Sequence, residues 1–469
     1  MTAIVCGDHL RPGAAERLGA IVLEGWCVKP EVPEIVEGDT LVVAACRGEF
    51  SLGPVQRALR RGGFDPLGVP MLDMGPEDYS DETRLRVRLE ALMAHAAAFA
   101  GSRPEQIRMV VPERVSRRAL LTLAVPEYRA GPAVDLETCR ADGGCAACVA
   151  ACPHGAITWH GGAIDVDRVA CVSCGRCVAV CPTGAMVNPA YTSAQLYAEV
   201  TTLAAAVGGA AGVVFVCSRG PLAAVPGGWY PLVVPCVGML PPHWIVAPLL
   251  MGLSTVAVAA CSCGVEDDAA QRVEAVVEYA REWIEGSAVT GRIVPCFGPV
   301  PESAAPLSAL SDPFGPLGAV AVALALGVAG PERDEVSPLG LVTLDQTTCT
   351  GCEACAVGCP TGALLVRRSN ALVEIGFSAA ACTACGTCLT RCPEIARGAI
   401  TLDRRVDPAA IEAGFQIQVR SEVRTCNRCG KEIATAAALR RIAEALGDHA
   451  ALPSITGLCL DCRGTRMVF

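Results

Sequence analysis

The first 130 residues alternate short apolar runs with longer stretches in which apolar residues recur at helical spacing. Residues 3–6 and 40–45 are continuous apolar runs that predict buried strands, whereas residues 11–23, 54–61 and 82–99 predict helices. Strands and helices that alternate in this way predict a small α/β domain over residues 1–130.

A second α/β pattern occupies residues 193–300, where a predicted helix opens the segment and another closes it. Between them, two apolar runs end at cysteines, VVFVC at Cys217 and LVVPC at Cys236, and a third leads to Cys261 and Cys263. Open parallel sheets present their ligand sites at the carboxyl ends of strands. These cysteines are therefore expected to converge on one edge of a sheet.

Cysteine-rich segments separate and follow these two domains. Residues 131–192 and 341–405 each carry two cysteine runs around a predicted hairpin. Residues 301–340 are rich in proline and predict a linker that packs one apolar segment against a neighbour. Residues 406–469 predict a tail with two further cysteine pairs around a helix at 433–446. The fold class is thus predicted to be multidomain, with α/β and α+β parts, because 469 residues exceed a single core.

The cysteine runs have regular spacing. Residues 171–182, CVSCGRCVAVCP, place three cysteines at i, i+3 and i+6 and a fourth before a proline. This run resembles those of bacterial ferredoxins, in which three thiolates of one run and the fourth cysteine of its sister run bind each [4Fe-4S] cluster. Two modules with two clusters each are therefore expected. The crossed quartets are Cys139, Cys145, Cys148 and Cys181; Cys171, Cys174, Cys177 and Cys152; Cys349, Cys352, Cys355 and Cys392; and Cys382, Cys385, Cys388 and Cys359.

Two places depart from this spacing. Five residues, RADGG, separate Cys139 from Cys145 where two are usual. Either the glycines let the longer loop return so that Cys139 binds, or a three-iron cluster forms without it. In the second module, a three-residue insertion at 394–397 follows Cys392, and we expect it to alter only a surface loop.

The segment 193–300 resembles the delta subunit of methyl-viologen-reducing hydrogenase. The matching motifs are Phe215-Val216-Cys217 and Pro235-Cys236-Val237-Gly238-Met239, whereas the third cysteine loop is more compact and lacks the family's Cys-His. The resemblance implies a [2Fe-2S] cluster on Cys217, Cys236, Cys261 and Cys263. The alternative is that these cysteines are buried structural residues. Cys296 is a spare cysteine, for which we expect a structural role.

The segment LVVAACRGEFSLGPVQRALRRGGFDPLGVPMLDM resembles the N-terminal domain of the heterodisulfide reductase A family. The matching residues are Ala44, Ala45, Cys46, Arg57, Leu59, Gly63, Phe64, Asp65 and Pro66. That family continues into a flavin domain with a glycine-rich dinucleotide turn, which this sequence lacks. The resemblance therefore implies a related protein whose flavin is supplied by a partner. Cys6, Cys27 and Cys46 in this domain are either buried hydrophobes or a ligand site at the strand ends.

The tail contains Cys426-x-x-Cys429 and Cys459-x-x-Cys462. Two such pairs suit tetrahedral zinc in a zinc-ribbon-like tail. No proline follows either pair, unlike the ferredoxin runs, but a fifth [4Fe-4S] cluster remains the alternative.

Charge and composition narrow the class of protein. The net charge of −10 argues against nucleic acid as a partner. Thiolate ligands need a reducing compartment, and no secretory signal opens the sequence, so a cytoplasmic location is expected. The apolar stretches at 244–260 and 318–330 predict a helix followed by a strand and a short segment, respectively, rather than a direct membrane span.

Together these features predict an iron–sulfur electron-transfer subunit of an anaerobic-type oxidoreductase complex. Its expected partners are a flavoprotein, hydrogenase, formate dehydrogenase or heterodisulfide reductase-like protein. No motif for bond-making chemistry is present, so the chain is expected to be non-catalytic. The alternatives are a flavin-independent reductase that acts at the N-terminal cysteines or a site-differentiated cluster, and an iron–sulfur scaffold or sensor.

Overall fold

The structure is a computed structural model that describes residues 2–8, 10, 17–27, 29–34, 40–46, 52–74, 81–110, 127–207, 209–218, 225–260, 269–294, 310–332 and 336–464. The chain divides into two compact units. The first comprises Met1–Cys139, Cys148–His160 and Ile164–Val328, and the second comprises Arg140–Ala147, Gly161–Ala163 and Ala329–Phe469.

A parallel four-stranded sheet begins the first unit, with the order β2-β1-β3-β4. Its elements are β1 Thr2–Cys6, β2 Ile21–Leu23, β3 Leu41–Cys46, α1 Leu52–Arg61, β4 Met71–Met74 and α2 Glu82–Ala97. Side chains alternate across β1, so that Ile4 packs with Leu59 of α1 whereas Val5 packs with Leu85 of α2. The predicted α/β arrangement is confirmed for this part of the chain.

One predicted helix is wrong in its second half. The expectation was a helix over 11–23, but Ile21–Leu23 form β2, which pairs in parallel with β1. The β-branched Ile21 and Val22 suit an extended conformation, and the sheet edge offers the hydrogen bonds that local helix spacing cannot reveal. Residues 11–16 lie outside the described residues.

The first cysteine-rich segment consists of short elements. They are β7 Ala133–Val134, α3 Ala147–Ala150, β8 Ile157–His160, β9 Ala163–Val166, α4 Arg176–Ala179 and β10 Met186–Val187, and they follow β5 Ile107–Val110 and β6 Glu127–Ala130, which precede the segment. The predicted hairpin of β8 and β9 is confirmed, with positive φ at both turn residues, Gly161 and Gly162.

A second parallel sheet follows in the first unit, with the order β12-β11-β13. Its elements are α5 Ser193–Val207, β11 Gly212–Cys217, β12 Trp229–Val234, α6 Pro242–Leu250, β13 Thr255–Val258 and α7 Ala269–Trp283. The apolar run of the predicted linker forms α8, Gly318–Leu326, which packs against α6. The predicted helix-then-strand interpretation of residues 244–260 is confirmed.

Polar contacts join the two sheet domains of the first unit. Helices α2 and α5 pack together, and His95 Nδ1 lies 2.8 Å from Glu199 Oε2 between them, with both side chains buried. Arg84, also on α2, donates to the backbone carbonyls of Val225 at 3.0 Å and Trp229 at 2.9 Å. These contacts tie residues that are more than 100 positions apart in sequence.

The second unit contains the second cysteine-rich segment and the tail. Its elements are β14 Leu341–Leu344, α9 Ala354–Val357, β15 Leu364–Arg368, β16 Leu372–Ser378, α10 Thr387–Arg391, β17 Ile400–Asp403, α11 Pro408–Glu412, β18 Phe415–Thr425, β19 Glu432–Thr435, α12 Ala436–Leu446, α13 Leu452–Gly457 and α14 Leu460–Gly464. β14 pairs with β17, and the hairpin β15–β16 continues into an antiparallel sheet with the order β15-β16-β18-β19.

The tail therefore shares a sheet with the second cysteine-rich segment. β18 pairs along β16 from Leu372–Glu422 to Ser378–Phe415. The helix predicted at 433–446 begins later, at Ala436, because residues 433–435 extend β19 beside β18. Thr435 ends the strand and caps the helix, since its hydroxyl accepts a hydrogen bond from Ala438 N–H.

No helix among the described residues combines the length and the apolar content that crossing a bilayer requires.

The buried His95–Glu199 contact gives a stability prediction. His95→Ala leaves the Glu199 carboxylate, 6% exposed, without this partner, and should lower the free energy of unfolding by about 1–3 kcal/mol. Glu90→Ala removes the exposed Arg86–Glu90 pair on the same helix and should cost less than about 1 kcal/mol. Urea unfolding followed by tryptophan fluorescence measures both, because Trp26, Trp159, Trp229, Trp244 and Trp283 all lie in the first unit. Equal losses in the two variants would contradict the assigned role of the buried contact.

Candidate functional site

The three regular cysteine loops share an unusual backbone. In each Cys-x-x-Cys-x-x-Cys loop, the residues just before and just after the central cysteine have positive φ angles. These are Ser173 at 58° and Gly175 at 88°, Gly351 at 67° and Glu353 at 67°, and Ala384 at 53° and Gly386 at 75°. Left-handed conformations cost free energy in non-glycine residues, so their recurrence indicates a functional constraint on these loops. Such turns direct successive N–H groups to one side, where they favour negative charge.

Backbone N–H groups in these loops point at cysteine sulfurs. Ser173 N–H donates to Cys171 Sγ and Gly351 N–H donates to Cys349 Sγ, each at 3.4 Å. Hydrogen bonds of this kind stabilise a thiolate relative to a thiol and tune the reduction potential of a cluster held by it. The loops are therefore built for anionic sulfur.

The second module encloses a cavity between its two cysteine runs. Cys349, Cys352, Cys355 and Cys392 line it together with apolar residues such as Leu344 and Ile375. Burial, followed by the nearby Cys349, Cys352 and Cys392 thiols, raises the pKa of Cys355 to about 12. Without a metal the Cys355 thiol resists ionisation, whereas bound iron would supply the positive charge that stabilises four thiolates.

A second cavity lies in the same module. Cys359 from the first run joins Cys382, Cys385 and Cys388 from the second, as the crossed arrangement requires. Burial and then the Cys382, Cys385 and Cys359 thiols raise the pKa of Cys388 to about 12, with a smaller contribution from Cys355 of the other quartet. The two cavities are therefore neighbours, and both donor sets fit [4Fe-4S] clusters.

In the first module, the cysteines of one crossed quartet lie around Cys177. Burial is the main cause that raises the pKa of this thiol, followed by Cys174, Cys171, Cys148 and Cys152. Cys148, from the other expected quartet, thus lies close by.

The long gap before Cys145 folds as consecutive turns. Gly143 and Cys145 N–H donate to Arg140 O, Gly144 N–H donates to Ala141 O, and Gly144 has a φ of 89°. Cys139 lies before these turns, with its N–H bonded to Asp135 O at 3.0 Å, while Met186 N–H donates to Cys181 Sγ at 3.4 Å. The glycines therefore let the longer loop fold as compact turns.

Two cysteines of the second sheet lie at adjacent strand ends. Cys217 ends β11 opposite Val234 of β12, and its Sγ lies 3.5 Å from Pro235 O. Cys236 follows β12, and its Sγ accepts a hydrogen bond from Gly238 N–H at 3.4 Å, the same i, i+2 contact as in the ferredoxin loops. Both side chains are buried. Cys261 and Cys263, the other expected ligands, and Cys296 lie outside the described residues.

The turn after Cys236 packs against a cysteine loop of the first module. A Cβ placed on Gly175 would lie 2.6 Å from Met239 Sδ, and α4 contacts the 3₁₀ turn Val237–Met239. Met239 belongs to the Pro235–Met239 motif, but the spacing of that motif does not show which loop the side chain touches. The contact brings segments that carry Cys174, Cys177 and Cys236 side by side.

The tail cysteines form a much tighter set. The four Sγ atoms of Cys426, Cys429, Cys459 and Cys462 all lie within 4.8 Å of one another, and those of Cys429 and Cys459 are 3.6 Å apart. A tetrahedral zinc site with Zn–S bonds of about 2.3 Å has sulfur–sulfur distances of about 3.8 Å. Within the described residues, no other group of three or more Cys, His, Asp or Glu ligands is so close. The ferredoxin quartets are therefore wider, which leaves room for a cluster of several atoms.

Hydrogen bonds also tune the tail thiols. Hydrogen bonds from backbone N–H groups lower the pKa of Cys426 to about 6, and the bond from Cys459 has the largest effect. Arg428 N–H also donates to the Cys426 sulfur, at 3.4 Å. The side-chain contact with Cys429 raises the pKa of Cys462 to about 12. Crowded thiols of this kind exchange their protons for a cation, so the donor set fits zinc and also admits an iron–sulfur cluster.

The N-terminal cysteines have a different environment. Cys6 is fully buried and Cys27 is 3% exposed, and both belong to the apolar core that contains Ile4, Trp26 and Leu41. Cys46 is the last residue of β3.

Comparison with known families agrees with this geometry. Residues 138–185 match a model described as a 4Fe-4S dicluster domain, and residues 348–397 match a second model with the same description. No curated protein matches the chain. Two dicluster domains of the ferredoxin type are thus present, and they indicate iron–sulfur electron transfer.

The equivalent glycines of two cysteine loops provide a matched prediction. Gly386→Ala introduces a Cβ into open space at a φ of 75° and should cost about 1–2 kcal/mol of backbone strain. Gly175→Ala adds a clash with Met239 to the same strain, so it should slow cluster assembly more, and Met239→Ala should relieve the difference. The measurement is cluster absorbance during anaerobic reconstitution of each variant. If Met239→Ala does not restore cluster assembly in the Gly175→Ala variant, then Gly175 is not needed for close packing against Met239.

Proposed function

We propose that the chain is a non-catalytic electron-transfer protein that holds four [4Fe-4S] clusters in the four crossed quartets. When bound, each cluster supplies one-electron transfer at a potential set by its surroundings. The observation that carries the proposal is the pair of adjacent cavities in the second module, each lined by three cysteines of one run and one of the other. The protein's own residues hold the thiolates, aim N–H groups at them and surround them with apolar side chains.

We extend the proposal to the quartets of the first module. Cys171, Cys174, Cys177 and Cys152 are assigned to one cluster, supported by their proximity around Cys177. Cys139, Cys145, Cys148 and Cys181 are assigned to the other, supported by the glycine turns before Cys145.

The segment between the modules is proposed to hold a [2Fe-2S] cluster. Support comes from Cys217 and Cys236 at neighbouring strand ends and from the Gly238 N–H bond to the Cys236 sulfur. Cys261 and Cys263 complete the proposed set on the sequence motif alone. The turn that follows Cys236 packs on Gly175, so this cluster is proposed to exchange electrons with the first module.

The partners are proposed from the family resemblances. The sequence resembles the heterodisulfide reductase A family without its flavin domain, and it also resembles the hydrogenase delta subunit. A flavoprotein, hydrogenase, formate dehydrogenase or heterodisulfide reductase-like protein is therefore proposed as donor or acceptor. Thiolate ligands favour a reducing compartment, for which we propose the cytoplasm.

A flavin-independent reductase is the alternative activity. It would need accessible thiols at the N-terminal cysteines or an open cluster position. Cys6 and Cys27 are packed in the core of the first sheet, which favours a structural role for both.

The relay function makes a direct prediction. Anaerobically reconstituted chain should bind about sixteen irons in its four-iron clusters and, once reduced by dithionite, should pass electrons to artificial acceptors. Cys177→Ala removes a thiolate ligand and, unlike a serine substitution, offers no oxygen in its place, so it should abolish electron transfer from a partner flavoprotein. Cys6→Ala should leave that transfer intact. Stopped-flow absorbance measures each rate.

Two results would count against the relay. An iron content of about eight would remove one dicluster module from the proposal. Catalytic reduction of a disulfide by the isolated chain, lost in Cys6→Ala, would favour the reductase instead.

The tail is proposed to bind zinc through Cys426, Cys429, Cys459 and Cys462, because their separations suit a single ion. Metal analysis should find about one zinc per chain, lost in Cys429→Ser without loss of cluster absorbance. Asp461→Asn, which weakens the exposed Lys431–Asp461 pair beside the site, is the control and should retain zinc. Loss of iron in place of zinc from Cys429→Ser would identify a fifth cluster.

A further inference from the structure

The tail is bonded to the strand that leads into the first cysteine loop of the second module. Gln418 of β18 accepts from Leu344 N–H at 2.7 Å and donates to Val342 O at 2.9 Å. Gln346 makes the same paired contact with the backbone of Arg420, at 2.9 and 2.8 Å. Each glutamine amide thus replaces a backbone partner, and together they fix the position of β14 just before Cys349.

The tail also covers the loop between Cys349 and Cys352. The Thr435 hydroxyl donates to Thr350 O, and both residues are buried. A Cβ on Gly351 would lie 3.2 Å from Thr435 Cγ2 and 3.5 Å from Ser421 Cβ. Because Thr350 and Gly351 separate two ligands of one quartet, their placement bears directly on where Cys349 and Cys352 lie.

A third contact reaches the opposite end of the same quartet. The insertion after Cys392 forms the 3₁₀ turn Ile395–Arg397, and the expectation that it alters only a surface loop is incomplete. Arg441 of α12 bonds to Glu394 at 3.2 Å, and Glu444 of α12 bonds to Arg397 at 3.3 Å. Glu394 lines the cavity of Cys349, Cys352, Cys355 and Cys392. The insertion is thus a docking point for the tail helix.

The tail also reaches the cavity of the other quartet through β18. Gln418 donates to Val342 O and Gln416 pairs with Phe377, and both Val342 and Phe377 line that cavity. Among the hydrogen bonds of the described residues, none joins residues 415–464 to the loop between Cys382 and Cys388. The contacts of Thr435, Arg441 and Glu444 therefore lie beside the Cys349 quartet, whereas β18 contacts the walls of both cavities.

The tail cysteines flank these contact residues along the chain. Cys426 directly follows β18, and Cys429 lies shortly before β19, which ends at Thr435. Cys459 and Cys462 follow α12 and α13. One ion bound by all four would therefore connect both ends of the segment that carries Thr435, Arg441 and Glu444.

We propose that residues 415–464 form a zinc-dependent brace that positions the ligands Cys349, Cys352 and Cys392, so that zinc in the tail controls how firmly one four-iron site of the second module retains its iron. This inference rests on the proposed iron–sulfur and zinc sites. Thr435 and Arg441 are positioning residues, because they act through Thr350 and Glu394.

The experiment measures iron release from the full chain to a chelator under anaerobic conditions, after iron, sulfide and zinc contents are determined. Thr435→Ala should accelerate one four-iron release phase roughly fivefold, the factor for a lost hydrogen bond of about 1 kcal/mol. Thr435→Ser keeps the hydroxyl and should restore the original rate. Arg441→Gln should accelerate the same phase, while Arg440→Gln, its exposed neighbour on α12, should not.

Variants that lack one ligand of one quartet identify the site whose iron is released in the accelerated phase. The accelerated phase should be absent from Cys355→Ala and present in Cys388→Ala, and Cys429→Ser should accelerate it further through loss of zinc. Unchanged release in both Thr435→Ala and Arg441→Gln, with iron and zinc fully loaded, would overturn the brace while the cofactor sites stand. Equal acceleration of both sites of the module would also overturn it. An unmodified chain that binds no zinc, or no iron in the second module, would instead refute the proposed sites themselves.

Discussion

In the second module, four cysteines converge on each of two cavities, and this constraint shapes the local structure. Three come from one loop and the fourth from a distant run, so two loops have to be held in register. The left-handed residues at Ser173, Glu353 and Ala384 show the local cost of this convergence. N–H groups aimed at sulfur then make the same loops suitable for thiolates.

The distances between the sulfurs of a cysteine set indicate whether it suits a single ion or a larger cluster. The tail sulfurs lie within 4.8 Å of one another, which suits one ion, whereas the crossed quartets of the second module are wider and line two cavities. The same residue type therefore serves two kinds of site, distinguished by geometry. Cys6 and Cys27 show a third environment, in which the thiol packs as a small apolar side chain.

Contacts distant in sequence link the cysteine sites to the rest of each unit. In the first unit, Met239 packs on Gly175, and the buried His95–Glu199 contact joins the two sheet domains. In the second, Thr435 and Arg441 bring the tail against the surroundings of a single quartet. Sites that look equivalent in the repeated cysteine pattern therefore have different neighbours, and such neighbours tune cluster retention and potential.

The sequence by itself determined the cysteine runs, their crossed pairing as a hypothesis, the α/β character of both sheet domains and most helices, because spacing and periodicity act over a few residues. It misplaced Ile21–Leu23 and the start of the helix at Ala436, where pairing with a distant strand overrides local preference. Only the tertiary structure decided that β18 extends the sheet of the second module and that the insertion at Glu394 meets Arg441. Those contacts join residues tens of positions apart, and no local pattern encodes which distant surface a side chain will meet.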